Sequence, residues 1–156
     1  MINDIISLQI KHEFNNCKIY FYMFTYFDKM QLNGFAKYFK KQSIEEHEHA
    51  MRITEFANII GYNLELENWD VFKIPKILSI QQAIKLYHEV ELETTRNMES
   101  IYKIAFDKHL FTAATFFSEM VKEQIEELNN SSNLLQKIEL IGSDKSALLF
   151  LDKEML

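Results

Sequence analysis

Gly34, Gly61, Pro75 and Gly142 are the only glycines and the only proline in 156 residues, and no other feature restricts the fold as much. Tight reversals draw on these two residue types for their special backbone angles. A chain with so few of them must run in long elements with few turns. Its apolar residues recur at steps of three and four, the period of a helix. The expected class is therefore all-α, and 156 residues are enough for one domain, 1–156, with a single core.

Five helices are expected. Asn3 and Asp4 can cap a first helix, about 3–31, with apolar residues at 6, 10, 17, 20, 24 and 27, until Leu32-Asn33-Gly34 breaks it. The second, about 35–60, carries Phe35, Phe39, Ile53 and Phe56 and stops at Gly61. Ser79-Ile80-Gln81-Gln82 has the form of a capping box and opens a third, about 80–107, with Ile84, Tyr87, Met98, Ile101 and Ala105 on one face. A fourth, about 110–138, carries Phe117, Val121, Leu128 and Leu135, and a short fifth, about 144–155, follows Gly142-Ser143. The first and third links are a few residues long, which makes antiparallel hairpins of helices one and two and of helices three and four. Residues 62–78 join the hairpins. At about 3.3 Å per residue they can span roughly 55 Å, more than the roughly 40 Å of a 26-residue helix. The expected architecture is a four-helix bundle with one long crossover between the second and third helices.

A net charge of −6 without a basic patch or tail excludes nucleic acid as a natural partner and suits cations. The most apolar run, Ile19 to Phe27, is nine residues, too short for the roughly 20 that a membrane span needs. One cysteine, Cys17, and no signal-like N-terminus point to a cytoplasmic location.

Each long helix interrupts its apolar stripe with a polar residue near mid-length. The seam of the first (6, 10, 13, 17, 20, 24, 27) includes Glu13, and that of the second (35, 39, 42, 46, 49, 53, 56) includes Glu46 and His49. The third seam (84, 87, 91, 94, 98, 101) includes Glu91, and the fourth (117, 121, 124, 128) includes Gln124. A buried carboxylate costs several kcal/mol unless it is paired, and these seams offer no Lys or Arg. Divalent metal supplies the missing charge. One Glu from each of two helices plus a Glu-x-x-His is how ferritin-like bundles, the established example of this ligand set, hold two ions. Singly, each signal is more often a solvated face or a misjudged register; their coincidence on four helices is what argues for a dimetal site.

With these residues in place the chain resembles the bacterial non-haem ferritins, from Ile5 to Phe150-Leu151-Asp152-Lys153-Glu154. The resemblance rests on Glu13, Ile44-Glu45-Glu46-x-x-His49, Glu91 and Glu123-Gln124-x-Glu126-Glu127. It implies that Glu13 and His49 bind a first iron, Glu91 a second, that Glu46 bridges them, and that Gln124 lies beside the second as a weak ligand. Tyr20 would be the tyrosine close to the di-iron centre, and Glu45, Glu123, Glu126 and Glu127 would form a third iron site. It further implies ferroxidase activity, Fe(II) oxidised by dioxygen, and ferric mineral stored in a homo-oligomeric shell of 24 subunits. Gln124-x-x-Glu127 replaces the Glu-x-x-His of bacterioferritins, and Glu119 stands where an aromatic residue often occurs. His47 stands where bacterioferritins have a methionine, so no haem is expected. A bacterioferritin-like or oxygenase activity would instead require a retained cofactor, and a purely structural bundle would show no iron chemistry.

Overall fold

The computed structural model describes residues 2–67 and 69–156. Its helices are α1 (Ile2–Lys29), α2 (Asn33–Ile59), α3 (Ile80–Asp107), α4 (Phe111–Ile141) and α5 (Lys145–Glu154). The fold is the all-α bundle of four long helices and a short fifth, and no strand occurs among the described residues. α1 packs along α2 and α3 along α4; α1 also meets α3, and α5 rests on α2 and α4.

Local sequence explains the ends. Ser79 Oγ accepts from Gln82 N at 3.1 Å, while Gln82 Oε1 reaches back to Leu78 N at 3.0 Å. The capping box therefore forms with its return bond one residue earlier than the motif predicts. Asp144 caps α5 by accepting from Ser146 N and Ala147 N. One expectation is corrected: Gly34 is not the break after α1. That turn falls at residues 30–32, with Gln31 at φ 60°. Gly34 lies in the first turn of α2, where an added Cβ would sit 1.8 Å from the Asp152 carbonyl oxygen. It is there so that α5 can approach, and the same aspartate completes the contact, since Phe35 N donates to Asp152 Oδ1 at 2.9 Å.

Apolar packing forms two clusters rather than one continuous core. At one end Phe27 stacks on Phe35 (4.9 Å between ring centres) and Phe39 (5.4 Å), with Tyr20, Tyr87 and Ile84 around them. At the other, Ile6 and Ile10 of α1 meet Ile53 and Ala57 of α2, Met98 and Ile101 of α3 and Phe117 of α4. Each large side chain fully buried in this way contributes roughly 1.5–3 kcal/mol. The crossover runs from one cluster to the other. Leu64, Leu66 and Trp69 pack on the second cluster and Phe72 and Ile77 on the first, and Glu65 N donates to Ser7 Oγ at 3.0 Å. Among the described residues no helix is long and apolar enough to cross a membrane.

Candidate metal centre

Between the two apolar clusters lies a polar layer to which all four long helices contribute. α1 brings Glu13, Asn16 and Tyr20, α2 brings Gln42, Glu46 and His49, α3 brings Glu91 and Thr94, and α4 brings Gln124. Every one of these is buried except His49, whose side chain is 17% exposed. Helical spacing is what assembles them: Glu46 and His49 lie three residues apart on one face of α2.

One ligand atom each from Glu13, Glu46 and His49 lie within 4.8 Å of one another. Glu13 Oε2 stands 4.0 Å from His49 Nδ1. Glu91 is adjacent but engaged: Tyr20 Oη donates to Glu91 Oε1, and Gln124 Nε2 donates to Glu91 Oε2. Gln9 Nε2 donates to Glu13 Oε1 at 2.5 Å. Among the described residues, the buried side-chain nitrogen and oxygen atoms without a hydrogen-bond partner are Glu13 Oε2, His49 Nδ1 and Glu127 Oε2. Orphaned buried polar atoms are rare because each costs about 1–3 kcal/mol or more. A carboxylate oxygen and an imidazole nitrogen facing one another without partners, Glu13 Oε2 and His49 Nδ1, are what an oxygen- and nitrogen-preferring divalent ion would satisfy.

The electrostatics of the metal-free layer agree with that reading. No Lys or Arg ion pair reaches Glu13, Glu46 or Glu91 among the described residues. Burial, then the neighbouring Glu13 carboxyl, pushes the Glu46 carboxyl well above its ordinary range, while the Asn16 amide pulls it back somewhat. Burial raises Glu91 to about 7, against the lowering effect of the bonds from Tyr20 and Gln124. Tyr20 is held well above the ordinary phenol value by burial and then by the Glu91 and Glu46 charges. At Glu46 and Glu91 protons take the place that cations would occupy.

The residues expected to form a third site are less gathered. Glu45 accepts from Gln42 Nε2 at 2.7 Å and pairs with Lys41 at 3.0 Å. Glu127 is half-buried, its carboxyl raised by burial and by Glu45. Glu123 is held by Arg52 Nη1 at 2.6 and 2.8 Å, and its Oε2 lies 4.0 Å from His49 Nε2. Glu126 is exposed. Glu119 lies 4.0 Å from Arg52 Nη2, and exposed His47 touches the Phe14 ring edge-on. Sequence reasoning missed Gln9, Asn16 and Arg52. Gln9 and Asn16 lie four residues before and three after Glu13, positions that a search for partners of a buried carboxylate would have flagged.

A family model described as Ferritin-like domain matches residues 3–141. The chain is 30% identical over 154 residues to the bacterial non-heme ferritin of Staphylococcus aureus, covering 97% of this chain and 91% of the relative. It is 29% identical over 146 residues to the chloroplastic ferritin-1 of Nicotiana tabacum, covering 88% and 57%. Among solved structures it is similar to an open-pore ferritin from the hyperthermophilic archaeon Archaeoglobus fulgidus. There the TM-score is 0.92 at 32% identity, over 99% of this chain and 93% of the other.

Proposed function

The chain belongs to the ferritin family, and from that premise we propose that it is an iron-storage ferritin with ferroxidase activity. Its residues 1–156 act as one ferritin-like unit, and copies of it assemble into a hollow shell of 24 subunits in the cytoplasm. Two Fe(II) ions enter the polar layer as substrate and each gives an electron to dioxygen. Glu13 and His49 hold one ion, Glu91 and Gln124 the other, and Glu46 spans the two. The observation that carries this reading is the set of orphaned buried atoms, Glu13 Oε2 and His49 Nδ1, facing one another at 4.0 Å.

The residues supply charge, spacing and dryness; the electrons come from iron. The Glu46 and Glu91 carboxyls shed their protons as cations enter, so uptake is linked to pH. Oxidation raises the positive charge of the pair while the carboxylates stay the same. The excess favours hydrolysis of the ferric ions and their departure as mineral. Gln124, a neutral amide, holds its ion less firmly than a carboxylate would, which suits a site that must empty. Glu45, Glu123, Glu126 and Glu127 form a further cation site on this path, at which Arg52 now holds Glu123.

The test is Fe(II) oxidation by stopped flow, with particle mass and iron content after aerobic loading. Glu46→Ala removes a ligand shared by both ions and is expected to abolish the rapid phase while the bundle stays folded, because the change removes a buried polar group from the interior. Wild-type rates in that variant would overturn the assignment of Glu46. A wild-type protein without saturable Fe(II) oxidation would overturn the function.

A further inference from the structure

A groove of about 280 Å³ between α1 and α3 is lined by Gln9, His12 and Asn97. From it a line of hydrogen bonds runs inward to Glu46. His12 Nε2 lies 2.8 Å from Thr94 Oγ1, Asn16 Nδ2 donates to Thr94 Oγ1 at 3.0 Å, and Asn16 Nδ2 also donates to Glu46 Oε2 at 3.2 Å. Thr94 spends its only hydrogen on the Val90 carbonyl at 2.9 Å. Its oxygen can therefore only accept, so the hydrogen of the His12 contact sits on Nε2. The same logic fixes the Asn16 amide. Reversed, it would set a carbonyl oxygen against a threonine oxygen with no hydrogen to give.

We infer that Asn16 is a positioning residue for metal binding at Glu46, its amide oriented by Thr94 and His12. The inference rests on the proposed role of Glu46 in holding both ions. A carboxylate that spans two metals must present both oxygens at a fixed angle, and Asn16 is the neutral donor that meets Glu46. Asn16 is 2% and Thr94 0% exposed. Two polar side chains are thus buried at a cost that an apolar pair in the same α1–α3 contact would avoid. Metal ligands are oriented by such outer partners, and losing one typically costs about 10–100-fold in metal affinity.

The experiment is an anaerobic titration of the chelator-stripped, full-length protein with Co(II), read by visible absorption and calorimetry. Wild type is expected to bind two ions in the polar layer. Asn16→Leu, close in size and without donors, is expected to keep the first ion and to bind the second about 10–100-fold more weakly. Thr94→Val is expected to lose a few-fold, and the double variant to bind no more weakly than Asn16→Leu, because Thr94 acts through Asn16. A second-ion affinity unchanged in Asn16→Leu overturns the inference, and additive losses in the double variant overturn the part of it that runs through Thr94. If Asn16→Leu does not fold, Thr94→Val decides alone, unchanged affinity overturning the inference. A wild type that binds no Co(II) would instead sink the dimetal reading on which the inference stands.

Discussion

Removing the charge from Glu91 should change how stability depends on pH more than it changes stability itself. In the metal-free protein burial holds the Glu91 carboxyl at about 7, against 4.5 for an unperturbed glutamate. Between those values the folded state keeps a proton that the unfolded state has lost, so stability falls as pH rises. The contribution is fully present below about 4.5 and gone above about 7. At about 1.4 kcal/mol per pH unit, the interval corresponds to about 3 kcal/mol. Glu91→Gln has no proton to lose. Its amide oxygen can still accept from Tyr20, and Gln124 can turn its own oxygen toward the new NH2 group, so the local packing survives.

The gap in melting temperature between Glu91→Gln and wild type, both stripped of metal, should therefore be small near pH 4.5 and widen toward pH 8. About 3 kcal/mol corresponds to roughly 6–12 °C in a chain of this length. Divalent metal should reverse the order, since the wild-type carboxylate then gains a cation and the amide gains less. Thermal unfolding followed by circular dichroism at about five pH values checks this. A gap that stays constant, or one that narrows as pH rises, refutes the account of Glu91 as a buried carboxyl that keeps its proton up to about pH 7.

Two other substitutions test separate parts of the structure. Gln124→Glu places a carboxylate where the amide now donates to Glu91; the second ion should bind more tightly, and oxidation should slow over repeated Fe(II) additions, measured with an oxygen electrode. Gly34→Ala puts a methyl 1.8 Å from the Asp152 carbonyl oxygen, so α5 must lift from α2 and the bond from Phe35 N to Asp152 must break. Losing that cap alone should cost about 1 kcal/mol, and hydrogen exchange should rise at Phe35 and along 145–154 while α3 is unchanged.

The helices were legible because the seams carry large apolar residues at helical spacing, and Glu13, Glu46, Glu91 and Gln124 are all buried as those seams imply. The seams were less exact than the residues on them. On α1 the stripe includes Cys17 and Phe24, whereas Asn16 and Met23 are the buried positions; on α2 it includes His49 and Phe56, whereas Ala50 and Ala57 are buried. A stripe counted in alternating threes and fours picks one residue per turn, whereas the buried face is wide enough to take its neighbour instead. The errors fall one residue to the side, earlier on α1 and later on α2. Small residues such as Ala50 give no signal of their own. Gly34 is easily misread because a glycine beside a turn looks like the turn, while the contact that requires it comes from Asp152, 118 residues along the chain.

What the sequence could not disclose is which polar groups are spoken for. Glu123 and Glu127 look alike as letters on α4, but Glu123 sits in a two-bond contact with Arg52 while Glu127 keeps an oxygen without a partner. The Arg52 pair is half-exposed, so it is worth little, about 1 kcal/mol or less, and a divalent cation can displace it. Among the described residues the buried carboxyls of the central layer have no Lys or Arg partner of this kind. They accept hydrogen bonds from neutral neighbours, and metal is the cation that would complete them. This difference orders the two groups of glutamates: the central layer, built from all four helices, should fill first, and the Glu123 side should follow as a weaker site from which Arg52 has to be released.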